Sequence, residues 1–249
     1  MKPANPSHRF LRGLLVALFW LGVWQASSML VGKPVLFASP LDTLGSLLRM
    51  LPTAGFWQSV GGSLCRVALG FLLALILGLA IGILAFRFSV LRALLAPLLT
   101  LVKTVPVASF IILILVWFGA SELTVIVSFL IVFPQIFFAT VSGLSSADGE
   151  LLEMARVFRV PGGRIAWRIY RPSMMPYLLG ACTSGLGMSW KAGIAAEVIG
   201  TPLHSIGEQM YLAKVYLATP ELFGWTLTVI VLSLLFEKAV LGILRRVGR

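Results

Sequence analysis

Apolar residues in this chain run in long blocks, and the polar residues gather between the blocks instead of alternating with them. Six blocks, at residues 14–31, 59–86, 94–118, 123–143, 176–200 and 222–244, each match the roughly 20 mainly apolar residues that carry a helix across a bilayer. In hydrocarbon every backbone N–H and C=O has to be bonded within the protein, which leaves helices for a chain patterned this way. The expected fold is therefore all-α, a polytopic membrane helical bundle of about six transmembrane helices. The blocks use nearly all of residues 1–249, so the chain reads as one transmembrane domain without room for a soluble catalytic domain.

Three local patterns add detail. Gly70, Ala74, Gly78 and Gly82 recur every fourth residue and line one face of the second block with small side chains. In lipid such a stripe lets another helix backbone approach closely, and packing within the bundle is the favoured role. The third block carries Pro97, Lys103 and Pro106; two prolines should bend or break its helix, as is tolerated at membrane depth where backbone is buried in protein or lines a cavity. Ser39-Pro40-Leu41-Asp42 reads as the start of a short surface helix, capped by Ser39 or Asp42 with proline in the first turn. The first block follows a polar, basic stretch over residues 1–12. A cleaved signal peptide has that shape too, with Ala26-Ser27-Ser28 as a cut region, but the length of the run and the spans behind it favour an uncleaved first span.

Composition points the same way. Hydrophobic residues make up 59% and charged residues 12%, with a mean hydropathy of +0.98, too little charge to cover a water-soluble surface. Cys65 and Cys182 fall inside spans and read as small packing residues; His8 and His204 lie far apart, so no metal site is assigned. Net charge is +11, and its placement sets orientation. With the N-terminus inside, Lys2, Arg9, Arg12, Arg87, Arg92, Arg156, Arg159, Arg164, Arg168, Arg171, Lys238, Arg245, Arg246 and Arg249 are cytoplasmic, fourteen of the twenty basic residues. Only Lys33, Arg49 and Lys214 fall outside. That asymmetry puts both termini in the cytoplasm and residues 205–220 on the outer face.

The longest cytoplasmic segment, residues 144–173, has helical signals on both sides of a break. Leu151, Leu152, Ala155 and Phe158 follow a helical period, Pro161-Gly162-Gly163 interrupts it, and Ile165, Ala166 and Ile169 give a second helix before Pro172 and Pro176. An amphipathic pair with a basic rim suits lipid headgroups or a partner's groove equally well on physical grounds. The segment resembles the EAA loop of bacterial ABC importer permeases: Glu-Ala-Ala, three residues, Gly, nine residues, Ile-x-Leu-Pro. Glu153, Ala155, Ile169 and Pro172 meet that pattern at the right spacing, while Met154, Arg159 and Arg171 stand where it has alanine, glycine and leucine. Gly162 and Gly163 are then expected to supply the turn. Trp117-Phe118-Gly119, Ser39-Pro40, the glycine-rich second span and Ala195-Ala196-Glu197 are similar to the nitrate, sulfonate and taurine branch of these permeases.

The resemblance implies a homodimer of permease subunits in a bacterial inner membrane, two cytoplasmic ABC ATPase subunits beneath it, and an extracytoplasmic solute-binding protein. Membrane lipid is the remaining partner, and nucleic acid is not one. ATP would be hydrolysed by the partner subunit, since no Gly-x-x-x-x-Gly-Lys-Ser/Thr phosphate loop occurs here, and this chain would bind no cofactor. Glu153, Ala155, Arg159, Gly162, Gly163, Ile169 and Pro172 become the ATPase-coupling residues, on a coupling helix around residues 146–159 that closure of the ATPase pair would move as a rigid body.

Lys103, Lys191 and Glu197 are ionisable groups within apolar spans, where such groups are functional or paired. Lys191 and Glu197 are about 240° apart around a helix and do not face each other. Glu197 shares a stripe with Ala181, Gly185, Ser189 and Gly193, a face suited to helix packing. Two readings stand for these three: structural partners of carbonyls and acids, or residues beside the translocation pathway of an anion such as a sulfonate, taurine or nitrate. Arg66, nearer the outer end of its span, reads as structural. Other functions compete. A secondary transporter would show internal repeats, which are not found, and a membrane component of another uptake system, such as one for thiamine precursors or another vitamin, is the alternative. An enzyme would need convergent catalytic groups at one depth, whereas the nine acidic residues and two histidines are dispersed, so no catalytic residue is assigned.

Overall fold

A computed structural model describes residues 6–248; Lys2 and Arg249, counted above for orientation, lie outside them. Every regular element among the described residues is helical. In chain order they are α1 (Pro6–Val31), α2 (Pro40–Met50), α3 (Ala54–Arg87), α4 (Ser89–Thr104), α5 (Val107–Phe118), α6 (Ala120–Ser145), α7 (Gly149–Val157), α8 (Gly162–Ile165), a π-helical turn (Ala166–Tyr170), α9 (Arg171–Gly200), α10 (Ile206–Val215) and α11 (Thr219–Gly248). By length and apolarity α1, α3, α6 and α11 can each cross a membrane, and α4 with α5 forms a fifth, broken candidate. α9 has 30 residues, but Lys191 and its glycines and serines dilute its apolar character.

The described residues form two compact units. The first comprises residues up to 57 together with 209–228. Ser39 caps α2, accepting the Asp42 N–H at 3.1 Å and donating to Asp42 Oδ2 at 2.6 Å, with Pro40 in the first turn. Trp24 stacks on Phe223 (centroids 5.8 Å apart) and donates its indole N–H to Ala38 O at 3.0 Å. Phe56 stacks on Trp225 at 4.9 Å. No residue of α1 from Leu11 onward is fully buried.

The second unit, residues 58–208 with 229–248, is organised on α6. The small-residue stripe of α3 lies against it: a Cβ added to Gly70 would stand 2.5 Å from Val125 O, and one added to Gly78 2.8 Å from Ile136 Cβ. α9 meets α6 in the same way, since a Cβ on Gly193 would lie 3.0 Å from Ser128 Oγ. Phe71, Ala74, Val132, Ile136, Cys182 and Leu186 fill the space between the three helices. Because lipid is as apolar as these side chains, such close approach and dispersion, rather than burial from water, hold the bundle.

The third block breaks as its prolines require, but only one proline does the breaking. α4 and α5 are bent by 103° at the residues between them. Pro97 stays inside α4, whereas Pro106, with no N–H to continue a ladder, caps α5. α5 ends at Gly119, whose φ of +79° is open to glycine and closed to most side chains.

Candidate functional site

Residues 144–173 fold as a capped helix, a left-handed corner and a second helix. Asp148 Oδ1 accepts the N–H groups of Glu150 (2.9 Å) and Leu151 (3.5 Å), satisfying the first turn of α7. At its far end the Val160 N–H reaches Ala155 O at 2.9 Å, a closure that demands a left-handed residue in between. That residue is Arg159, with φ +51°. The expectation that Gly162 and Gly163 make the turn is therefore corrected: neither has a positive φ, and both lie in α8 behind Pro161. The helix end fixes where the chain must reverse, whichever residue stands there.

The second helix also differs from expectation. It does not stop before Pro172 and Pro176 but runs from Gly162 through the π-helical turn into α9. The wide turn, closed by the Arg171 N–H on Ala166 O, ends where Pro172 has no N–H to give. Of the residues expected to couple, Glu153, Arg159, Gly162, Gly163 and Pro172 are exposed and Ile169 is half-buried. Ala155 is 3% exposed, packed within its own chain. The outward face of α7 is instead Leu151, Met154 and Phe158, three apolar side chains in helical register, all exposed.

At the α4–α5 break the chain opens a groove of about 340 Å³, walled by Lys103, Gln135, Ser184, Met188 and apolar residues of α4, α5 and α6. A second hollow of about 250 Å³ shares Val107, Ile131 and Met188 with it and adds Lys191, Ala192 and Ala195. Lys103 and Lys191 thus line two neighbouring hollows that share three wall residues. Lys103 Nζ stands 5.2 Å from the Phe138 ring centroid, a cation–π contact. Neither lysine has a carboxylate within ion-pair distance; among the described residues the one such pair is Arg66–Glu197. Opposite Lys103, the Ser184 hydroxyl donates to Gln135 Oε1 at 2.9 Å, and Gln135 Nε2 donates to Ile131 O at 3.1 Å and to Met188 Sδ at 3.4 Å. Gln135 and Ser184 escaped the reading of the sequence. Their signal was that uncharged polar residues also have to be accounted for in an apolar span.

Glu197 is not in the groove. It is fully buried near the C-terminal end of α9, where Oε2 accepts the Ser63 hydroxyl (2.6 Å) and the Gly207 N–H (3.2 Å) and Oε1 accepts the Thr124 hydroxyl (3.3 Å). Arg66 Nη1 lies 3.8 Å from Oε1, and its guanidinium also donates to Leu203 O (2.9 Å) and His204 O (3.3 Å). Ser63 Oγ in turn accepts the Ile206 N–H at 2.8 Å. Gly207 permits the approach, because a Cβ there would fall 2.2 Å from Glu197 Cβ. The grouping of Glu197 with the two lysines is thus corrected: its turn around α9 points it at α3, α6 and the 203–207 segment, away from both.

Known transport-system membrane proteins are similar to this chain in sequence. The profile of the family described as binding-protein-dependent transport system inner membrane component matches residues 69–249. The taurine transport system permease protein of Escherichia coli is 24% identical, over 90% of this chain and 83% of its own length. A putative aliphatic sulfonates transport permease protein of Bacillus subtilis is 26% identical, over 96% and 87%. The bicarbonate transport system permease protein of Synechococcus elongatus is 29% identical, over 66% and 61%.

Proposed function

This chain belongs to the family of binding-protein-dependent transport system inner membrane components, and from that premise we propose that it forms the solute pathway of an ABC importer for a small organic anion, coupled to a separate ATPase. It works as a homodimer, with a solute-binding protein outside and two ATPase subunits in the cytoplasm. The observation that carries the reading is the groove at the broken span: two lysines without carboxylate partners face an opening within a helical membrane bundle. Irregular backbone at membrane depth is stable where it lines a cavity, and uncompensated positive charge there favours an anion.

α9 is the sixth crossing. Much of it is buried against protein, including Leu178, Cys182, Leu186 and Trp190, so it needs less apolar surface than a helix bathed in lipid. Six crossings return both termini to the cytoplasm, as the arginine asymmetry requires. α7 docks its Leu151, Met154 and Phe158 face into the ATPase, with Glu153 on the exposed side and Ala155 seating the helix from behind. Arg159 makes the corner. Gly162, Gly163, Ile169 and Pro172 belong to the unbroken helix that carries the push from α7 to Lys191 on α9.

The decisive experiment is uptake by vesicles holding the permease with its ATPase and binding protein. ATP-dependent accumulation of taurine or an alkanesulfonate is expected, and failure to accumulate any small anion overturns the function. Orientation has its own check in a variant lacking Cys65 and Cys182. Leu203→Cys, in the exposed outer segment, should react with an impermeant maleimide in intact cells, and Ser146→Cys only after permeabilisation. The reverse pattern overturns the topology.

A further inference from the structure

We infer that the segment from Gly162 to Arg171 is a binding site for the headgroup of an anionic phospholipid, formed by Arg164, Arg168 and Arg171 and anchored by Trp167. The inference rests on α9 crossing the membrane, as proposed above, and is independent of which solute is carried.

On physical grounds residues 144–173 suited lipid headgroups and a partner's groove equally, and the structure gives the two halves different surfaces. α7 turns Leu151, Met154 and Phe158 outward, an apolar face. Behind the Arg159 corner the chain instead exposes Arg164, Trp167 and Arg168. Arg164, Arg168 and Arg171 are four and three residues apart, which places them on one helical face. Arg171 Cζ stands 3.9 Å from the centre of the Trp167 ring, a cation–π contact that holds the guanidinium without supplying an opposite charge. Glu150 and Glu153 lie in the helix just before the corner, yet none of these arginines has a carboxylate within ion-pair distance among the described residues.

Depth favours lipid as the occupant. α9 has 30 residues, about 45 Å of helix, which matches a bilayer with both headgroup layers included. Arg171 is its first residue and so falls at headgroup level, with Trp167 within about a turn of it, where indole rings concentrate. The end of α3 gives the same level independently. Phe86 meets Tyr170 edge-on at 5.6 Å, and Arg87 is the last residue of α3. Guanidinium and phosphate form charge-assisted, bidentate hydrogen bonds. A zwitterionic headgroup brings its own ammonium, so a row of unpaired guanidiniums favours an anionic one.

The test is electron spin resonance on vesicles holding the full-length permease and trace spin-labelled lipid, which separates lipid held at the protein from bulk lipid. Phosphatidylglycerol should associate in preference to phosphatidylcholine. Arg164→Gln with Arg168→Gln should lower that preference at least about threefold. Trp167→Ala, which frees Arg171, should lower it less, and Trp167→Phe should keep most of it. Arg245→Gln with Arg246→Gln removes equal charge from the exposed end of α11 and should change it much less. Equal loss from the two arginine pairs, or no preference in the parent, overturns the inference. Soluble glycerophosphate in excess should not displace the lipid; displacement would make this a site for a free phosphate ester and overturn it too. Copurification of the ATPase should survive Arg164→Gln with Arg168→Gln. Loss of the ATPase with lipid preference retained would assign these arginines to that partner and overturn the lipid reading. Arg164→Gln alone repeats the comparison if the pair does not fold. Because the readout is lipid and not uptake, it can fail while the importer reading stands, and the reverse.

Discussion

Lys191 and Glu197 sit less than two turns apart on α9, and the fold treats their charges in opposite ways. Glu197 is enclosed by two hydroxyls, a backbone N–H and a guanidinium, so its carboxylate oxygens are occupied from within the chain. Lys191, and Lys103 in the neighbouring hollow, have no carboxylate within ion-pair distance among the described residues and open onto space. Burying a charge is tolerable when hydrogen bonds and an opposite charge replace water, and Glu197 meets that condition where several segments converge. Leaving a cation without such replacement is unfavourable unless a ligand or water supplies it. A closed network sets geometry; an open one leaves something to bind.

The contrast gives two mutants opposite signatures. Glu197→Ala strands Ser63, Thr124, Arg66 and the Gly207 N–H together, and should cost roughly 3 kcal/mol, a large share of a membrane domain's marginal stability. Thermal unfolding in detergent and yield from membranes would register it, whatever the transport assay reads. A Glu197→Ala permease that unfolds at the parental temperature would remove the distinction from its closed side. Lys103→Met and Lys191→Met should do the reverse: uptake falls at least tenfold, about 1.4 kcal/mol, while unfolding shifts by no more than about 0.5 kcal/mol. Loss of stability without selective loss of uptake would make the lysines structural too.

Much of this was legible in the residues, for identifiable reasons. Block length was enough for a helical membrane protein because hydrocarbon permits few alternatives. The glycine stripe of α3 gave a packing face, since small side chains every fourth residue have one geometric consequence. Ser39 and Pro106 acted locally as their chemistry dictates. What failed depended on contacts distant in sequence. Glu197 is sorted from the lysines by Ser63 and Arg66, more than a hundred positions away, and no spacing rule on α9 reveals that. Gln135 and Ser184 meet across α6 and α9, a pairing that no pattern on either helix announces. Ala155 matched a family position whose burial no motif encodes, and Arg159 takes the left-handed corner because α7 ends there, though its side chain argues against it.

The same open-and-closed distinction divides α7. Met154 and Phe158 point outward and Ala155 inward. Met154→Glu should weaken copurification of the ATPase by about fivefold, near 1 kcal/mol as expected of one interface residue, and leave unfolding unchanged. Ala155→Glu should instead loosen α7 itself, seen as faster amide exchange from Leu152 to Phe158. If Ala155→Glu loses the ATPase with α7 amides still protected, the buried residue faces the partner in the assembled transporter and the two faces exchange roles.

Arg159 carries the smallest expected effect and belongs so far to neither class. Its φ of +51° costs a side chain about 1 kcal/mol relative to glycine, offset in part because glycine gains freedom in the unfolded chain. Arg159→Gly should therefore slow amide exchange at the end of α7 by a factor of two to five, roughly 0.5–1 kcal/mol, with uptake unaltered. Arg159→Ala is the companion: it deletes the guanidinium but keeps the Cβ in the same strained corner, so it should give no gain in protection. If the two substitutions behave alike and both lower ATP-driven uptake, the corner's strain is irrelevant and the guanidinium itself contacts the ATPase. Arg159 would then join Lys103 and Lys191 as a charge left open for a partner. If only glycine changes exchange and neither changes uptake, the arginine is tolerated at a corner fixed by the helix that precedes it.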